Sequence, residues 1–315
     1  MEAATTSATR AAPGASALGV ARPRHGERVI KAVLVAATLV SVLTTVGIVA
    51  SLLGETVRFF GDVGVGEFLT GTEWAPLFSD PKFGVLPLIG GTLLITAISL
   101  VVAIPLGLGS AIYLSEYARP RTRKVLKPIL ELLAGIPTIV FGYFALTFFT
   151  PEILRSLFHV DVQIFNALSA GIVMGFMVLP TIASVSEDAM SAVPASLREG
   201  AFGLGASRLQ VSLRVVFPAA LSGIVAAVIL GISRAIGETM IVLVAAGQVP
   251  NLGIDPRDSY ETMTAFIAAT GKGDVPTGSI GYKTIFAVGT TLFVLTLIMN
   301  AISIRFVRRY RQVYE

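Results

Sequence analysis

Two residues of opposite charge, Arg234 and Glu238, stand four positions apart inside an apolar stretch from about Ala219 to Gly247. A charge at the centre of a bilayer costs about 2.5–3.5 kcal/mol on insertion scales, so such residues commonly mark a pathway or a site. If the stretch is one helix, the spacing puts both side chains on one face, where they can neutralise each other. Arginine offers a planar fork that matches two oxygens of a phosphate or carboxylate, which lysine does not. The pair therefore fits either an anion site in a translocation path or a structural ion pair that pins two helices together.

Other reactive residue types give little. The chain has no cysteine, which removes disulfides and thiolate-ligated metals. Its two histidines, His25 and His159, are isolated from one another and from any ligand cluster. No G-x-x-x-x-G-K-[ST] run occurs, so ATP hydrolysis by a P-loop mechanism is excluded. Gly271-Lys272-Gly273-Asp274 has the G-x-G-D form of intramembrane aspartyl proteases. It lies in a polar connection before Val275-Pro276, and no partner aspartate stands in an apolar segment. The chain reads as a non-enzyme.

The elements that must hold Arg234 and Glu238 are membrane helices. Of 315 residues, 54% are hydrophobic and 14% charged, against roughly 25% charged in soluble domains. Mean hydropathy is +0.78. Six apolar segments, at about 30–53, 88–114, 126–150, 164–187, 219–247 and 284–304, can each cross a hydrocarbon core of about 30 Å. The fold class is thus all-α, a polytopic membrane protein with six transmembrane helices.

Basic residues alternate between the connections. The N-terminal region, the second and fourth connections and the C-terminal end hold seventeen, among them Arg119, Arg121, Arg123, Lys124, Lys127, Arg198, Arg208 and Arg214. The opposite connections hold six, and only Arg234 falls within a span. The positive-inside rule then places both termini in the cytoplasm. The pI near 9.5 is an orientation signal and a contact with anionic lipid headgroups, with no nucleic-acid footprint. Residues 1–28, rich in Ala, Thr, Ser, Gly and Pro, read as a disordered cytoplasmic tail, and residues 29–315 as the transmembrane domain. The apolar run from Ala32 to Leu53 is too long for a signal-peptide core, which favours an uncleaved first helix.

The spans carry small residues four apart, namely Ala103, Gly107 and Ala111, then Gly171 and Gly175, then Ala227, Gly231 and Ala235. Such stripes let helix backbones approach closely in lipid. Pro105, Pro137 and Pro180 each free a carbonyl that neighbouring helices or a cavity must satisfy. The outer connections, about 54–87 and 248–283, are long. The first is acidic, with Glu55, Asp62, Glu67, Glu73 and Asp80, and its Trp74 reads as an interfacial anchor. An acidic mouth repels an anion from bulk solvent, so an anionic substrate is better delivered by a docked partner.

The fourth connection, cytoplasmic in this topology, holds the most specific pattern. Pro194 precedes about ten residues ending at Gly205, which predicts a short helix, a turn, and a second short helix to about Val216. Glu199-Gly200-Ala201, then Gly205, then Val215-Val216-Phe217-Pro218 resembles the EAA loop of ABC importer permeases, with Gly200 in place of the second alanine. Ser233 to Met240 resembles the G-R-A-x-G-E-T-M stretch of phosphate-specific permeases, and Leu132 to Gly142 their third-span motif. Phe83 to Pro87 and Tyr113 to Tyr117 fit the same family.

Over residues 60–306 the chain is thus similar to PstC-type permeases of phosphate ABC importers. The resemblance implies an ABC importer type I permease fold in a bacterial plasma membrane, translocating inorganic phosphate. It implies that residues 188–218 are a coupling loop that docks into a separate ATPase subunit, with Glu199, Gly200, Ala201, Gly205 and Pro218 as its motif. It implies that Arg234 and Glu238 line the substrate pathway. The partners implied are a second homologous permease (PstA-like), an ABC ATPase dimer (PstB-like) and an extracytoplasmic phosphate-binding protein (PstS-like). No cofactor or metal is expected on this chain, since ATP and Mg belong to the ATPase. The sister PstA-type subunit and permeases for other oxyanions such as molybdate or sulfate carry similar features. An ATP-independent channel or secondary transporter has no use for the Glu199–Pro218 pattern.

Overall fold

The computed structural model describes the backbone of residues 25–310 and the side chains of residues 26–305. The expected tail therefore lies outside the described residues up to position 24. Residues 25–28, assigned to it above, already belong to a helix. The described residues divide into two units, one up to residue 51 and one from residue 52 onward.

In the first unit, the described residues form the start of α1 (His25–Asp62), apolar and without a charge between Lys31 and Glu55. The second unit begins in the same helix. It continues through a short α2 (Val65–Thr70) and a two-residue antiparallel hairpin, β1 (Trp74–Ala75) with β2 (Lys82–Phe83). The architecture is otherwise all-α.

Among the described residues, four helices are long and apolar enough to cross a membrane: Gly26–Asp62, Leu86–Tyr117, Ala167–Ser191 and Ile280–Arg305. They are α1, α3 (Leu86–Ile112) with its π-helical end to Tyr117, α6 (Ala167–Ser191), and most of α13 (Ile280–Tyr310).

The third and fifth expected spans are not single helices. The third consists of α4 (Pro120–Ala134) and α5 (Thr138–Phe144), the latter running on as a π-helix to Leu157, with an 86° bend between the halves. Gly135, Ile136 and Pro137 form the elbow, and Pro137 cannot donate a backbone bond across it. In the fifth, a segment over Arg208–Ala219 meets α10 (Leu221–Ile236) at 73°. A second break at Gly237–Thr239 precedes the short α11 (Met240–Ala245). An average of hydropathy over 20 residues cannot register a one- to three-residue interruption. Each bent pair taken as one span brings the number of crossings to six. The connection after α11 also contains a helix, α12 (Met263–Lys272).

The core is organised on α6, which packs against α3 and α10. Val173, Met174, Met177, Val178 and Ile182 are all buried. Close approach explains the small-residue stripes. A Cβ on Gly175 would lie 2.9 Å from the Ser99 carbonyl oxygen and 2.8 Å from Val102, and one on Gly231 would meet Ile182 at 2.8 Å. A second cluster joins Phe59, Phe68, Trp74, Phe83 and Phe266. Trp74 is buried edge-on against Phe266, ring centroids 4.9 Å apart, so its ring packs within the protein.

Candidate functional site

The break in the fifth span decides where the two signature side chains go. Gly237 caps α10, so the helical face that would join Arg234 to Glu238 ends between them. Glu238 Oε1 instead accepts the backbone N–H groups of Met240 (2.9 Å) and Ile241 (3.2 Å), capping α11. A carboxylate there satisfies orphan donors and faces the positive end of the helix. The Glu238 carbonyl accepts the Thr264 hydroxyl at 2.6 Å, which ties the break to α12. The expected neutralising pair is not formed, because Glu238 is committed to the next helix.

Arg234, half-buried in the last turn of α10, reaches two neutral acceptors. Nη1 donates to the Thr181 hydroxyl at 3.0 Å, and Nη2 to the Ala134 carbonyl at 3.5 Å. Ala134 is the last residue of α4, where the elbow leaves carbonyls without helical partners. Thr181 follows Pro180 in α6. One guanidinium thus joins three interrupted or proline-bearing helices. Among the described residues, no carboxylate forms an ion pair with it. It is a cation held in place by dipoles, with its charge uncompensated.

The segment that follows α6 folds as its spacing predicts. Pro194 precedes α7 (Ala195–Gly203), and Gly205 turns the chain with φ +82°. Ser207 and Gln210 then form a capping box on α8 (Arg208–Val211), which continues as a π-helical turn to Val216 and α9 (Phe217–Ala219). Glu199, Gly200 and Gly205 are exposed, Ala201 is half-buried, and Phe202, Leu204 and Leu209 stand out beside them. The opposite face packs Leu197, Ala201 and Ala206 onto Met190, Val193, Val211, Val216 and Ile224. A Cβ at Gly200 would meet nothing, so an alanine there fits equally well.

Two features escaped sequence reasoning. Arg198, beside Glu199, turns inward. Its Nη2 and Nε donate to Glu116 Oε1 at 3.1 and 3.3 Å, and it also bonds the carbonyls of Val193 (2.6 Å) and Met190 (2.7 Å). Glu187, fully buried near the end of α6, is held by Arg123, by Lys127 Nζ at 2.8 Å and by the Ser191 hydroxyl at 2.8 Å. Arg123 and Lys127 both stand on α4, so this cluster locks one arm of the elbow to α6. Positive charge counted as an orientation signal is here also an internal clamp. The available signal was Glu187 itself, an acid flanked by apolar segment, with no cation within helical reach in sequence.

The comparisons agree on the architecture. The sequence pattern of the family described as "Binding-protein-dependent transport system inner membrane component" matches residues 103–312. The probable ABC transporter permease protein YqgH of Bacillus subtilis is 38% identical over 283 residues, covering 89% of this chain and 90% of its own. The phosphate transport system permease protein PstC 1 of Mycobacterium tuberculosis is 37% identical over 278 residues, 77% of this chain and 81% of its own. PstC of Haemophilus influenzae is 30% identical over 295 residues, 88% and 91% respectively. Among solved structures, a bacterial alginate ABC transporter in complex with an alginate pentasaccharide-bound periplasmic protein superposes with a TM-score of 0.62. It is 18% identical, over 91% of this chain and 98% of that one. A MetNI methionine ABC transporter in an inward-facing conformation gives 0.53 at 20% identity, over 73% and 95%. At these identities the structures establish the fold.

Proposed function

The chain belongs to the family of binding-protein-dependent transport system inner membrane components, and from that premise we propose that it is the permease for inorganic phosphate in an ATP-driven importer. The observation that carries the substrate is the uncompensated Arg234 guanidinium, set where the broken third and fifth spans meet α6. An anion arriving there exchanges the weak carbonyl and hydroxyl contacts for two charge-assisted bonds. Glu238 holds the break in shape by capping α11 and places a negative charge on the same path, which favours release. A protonated phosphate oxygen can donate to that carboxylate, whereas sulfate, without a proton near neutral pH, cannot. The names of the relatives from Mycobacterium tuberculosis and Haemophilus influenzae support phosphate over other oxyanions.

On this reading the chain is half of a heterodimeric pore with a PstA-like second permease. A PstB-like ATPase dimer docks on Glu199–Pro218, and a PstS-like binding protein delivers the anion. The exposed apolar face at Phe202 and Leu204 beside Gly205 suits such a socket. Both termini and residues 188–218 lie in the cytoplasm, with 54–87 and 248–283 outside. A cysteine placed at Ser207 of this cysteine-free chain should stay unlabelled by an impermeant thiol reagent in intact cells; strong labelling would reverse the orientation.

The function is tested by uptake into proteoliposomes that hold this chain with the second permease and the ATPase, with binding protein added outside. ATP-dependent accumulation of radiolabelled phosphate, undiminished by a tenfold excess of sulfate or molybdate, is expected. Accumulation of sulfate or molybdate in its place would overturn the substrate assignment.

A further inference from the structure

The two outer connections line a cavity of about 530 Å³. The hairpin segment Trp74–Phe78 forms one wall, residues Gln248–Pro250 another, and α12 with Asp274 the rest. Two of its lining groups are buried without partners. The Trp74 indole Nε1 has no acceptor and the residue is 5% exposed. Glu261 is 6% exposed, and its carboxylate has neither an ion-pair nor a hydrogen-bond partner among the described residues. A buried carboxyl left unpaired costs free energy, and here nothing within the chain offsets it.

The site is rigid. The Glu261 N–H donates to the Val249 carbonyl at 3.0 Å, and the Tyr260 N–H to that of Ala246 at 3.0 Å. Gly91 packs so closely beneath that a Cβ there would lie 2.4 Å from the Glu261 carbonyl oxygen. Among the described residues, the charged groups lining the cavity, Glu261 and Asp274, are both acidic, and no lysine or arginine lines it. The basic residues of the surrounding outer segments are already paired, Arg58 with Glu55, Lys82 with Asp80, Arg257 with Asp255 and Lys283 with Asp62, except Lys272 at the end of α12.

We propose that this cavity is a docking socket for the extracytoplasmic binding protein, taking a loop that brings a cationic side chain to Glu261. The proposal rests on the reading that 54–87 and 248–283 face outward. Trp74, Phe78 and Phe266 supply an apolar and aromatic wall for the stem of such a side chain and a face for its charge. The socket explains how a face that repels free phosphate holds the protein that carries it: the docking contact and the cargo have opposite charge.

Chemistry gives the docking a proton signature. Burial raises the Glu261 carboxyl to about 7, so near neutral pH it is part-protonated when the socket is empty. A cation favours the carboxylate and expels the proton, so docking strengthens as pH rises through 7. Among the described residues, Asp274 is the other titratable group lining the cavity, and the hairpin and 248–250 walls contribute none.

The test measures binding of the PstS-like protein to the assembled transporter in nanodiscs at pH 6 and pH 8. For the unaltered complex, affinity should be severalfold higher at pH 8. Glu261→Gln should weaken binding at pH 8 by roughly tenfold or more and flatten the pH dependence. Uptake at saturating binding protein should stay near the unaltered rate in this variant. Unaltered affinity and pH dependence in Glu261→Gln would overturn the socket, and would leave the transport reading intact if phosphate uptake persists. Loss of the second permease from purified Glu261→Gln complexes would also overturn it, by assigning the cavity to the contact between permeases. Absence of binding-protein-driven uptake in the unaltered complex would instead defeat the functional reading itself.

Discussion

Arg198 and Glu116 are 82 positions apart, yet the Arg198 guanidinium donates two bonds to one oxygen of Glu116 and two more to the carbonyls of Val193 and Met190. Glu116 lies in the π-helical end of the second span, and Arg198 in the helix whose outer face carries the coupling motif. The link fastens α7 to the bundle at a point distinct from its covalent joint to α6. If an ATPase docks on α7 as proposed, a displacement of that helix reaches α3 directly as well as α6.

Breaking this link should separate ATP hydrolysis from transport. Removing one partner of a largely buried ion pair costs about 3–5 kcal/mol, and the partial exposure of Arg198 reduces that to about 1–3 kcal/mol. Glu116→Ala should therefore assemble, retain binding-protein-stimulated ATPase activity and lose most phosphate imported per ATP. The exchange Glu116→Arg with Arg198→Glu should restore part of that ratio. An unchanged ratio in Glu116→Ala would show that the link carries no motion.

Gly205 provides a test in which space plays no part. Its φ is +82°, and a Cβ built there meets no atom. Substitutions should thus rank by backbone preference alone. Gly205→Asn should be tolerated, since asparagine visits the left-handed region. Gly205→Ala should lose some uptake, at a cost of about 1–2 kcal/mol, and Gly205→Val should lose most, because β-branched residues resist this conformation further. Equal uptake in the Asn and Val variants would remove the turn from the coupling mechanism.

Glu238 is assigned to a cap, and that has a consequence that an Arg234–Glu238 ion pair does not share. Glu238→Gln keeps an acceptor oxygen for the Met240 and Ile241 N–H groups, so the complex should assemble normally. Glu238→Ala removes it, at about 1 kcal/mol, and should lower the thermal stability of the purified complex. Were the two residues an ion pair, both substitutions would strand the arginine and destabilise alike.

How far the sequence reaches differs from element to element. Pro194, Gly205 and Pro218 punctuate one short connection, and their local chemistry is enough to place two helices and the turn between them. Apolar length located the crossings for the same reason, since backbone satisfaction in lipid leaves few alternatives to a helix. The elbow at Gly135–Pro137 and the break at Gly237–Thr239 were misjudged as continuous helix. Both have helix-ending residues in plain view, but an apolar run masks them when length alone is weighed. Partners across the fold were not legible. Glu187 meets Lys127 over 60 positions and Arg123 over a further turn of α4, and Arg234 meets Ala134 across 100. Such pairings follow from how helices pack, which residue spacing within one segment does not encode.

The account stands on Arg234 as the positive site that the anion meets within the bundle. The direct measurement is initial phosphate uptake by the reconstituted transporter carrying Arg234→Gln or Arg234→Lys, with assembly and basal ATPase activity checked in the same preparations. Loss of two charge-assisted bonds of about 1.5–3 kcal/mol each predicts a fall of roughly a hundredfold or more in Arg234→Gln. Arg234→Lys should recover little, because a point charge cannot keep the Thr181 and Ala134 contacts and still offer a fork to the anion. Near-normal uptake in an assembled Arg234→Gln complex would contradict the account.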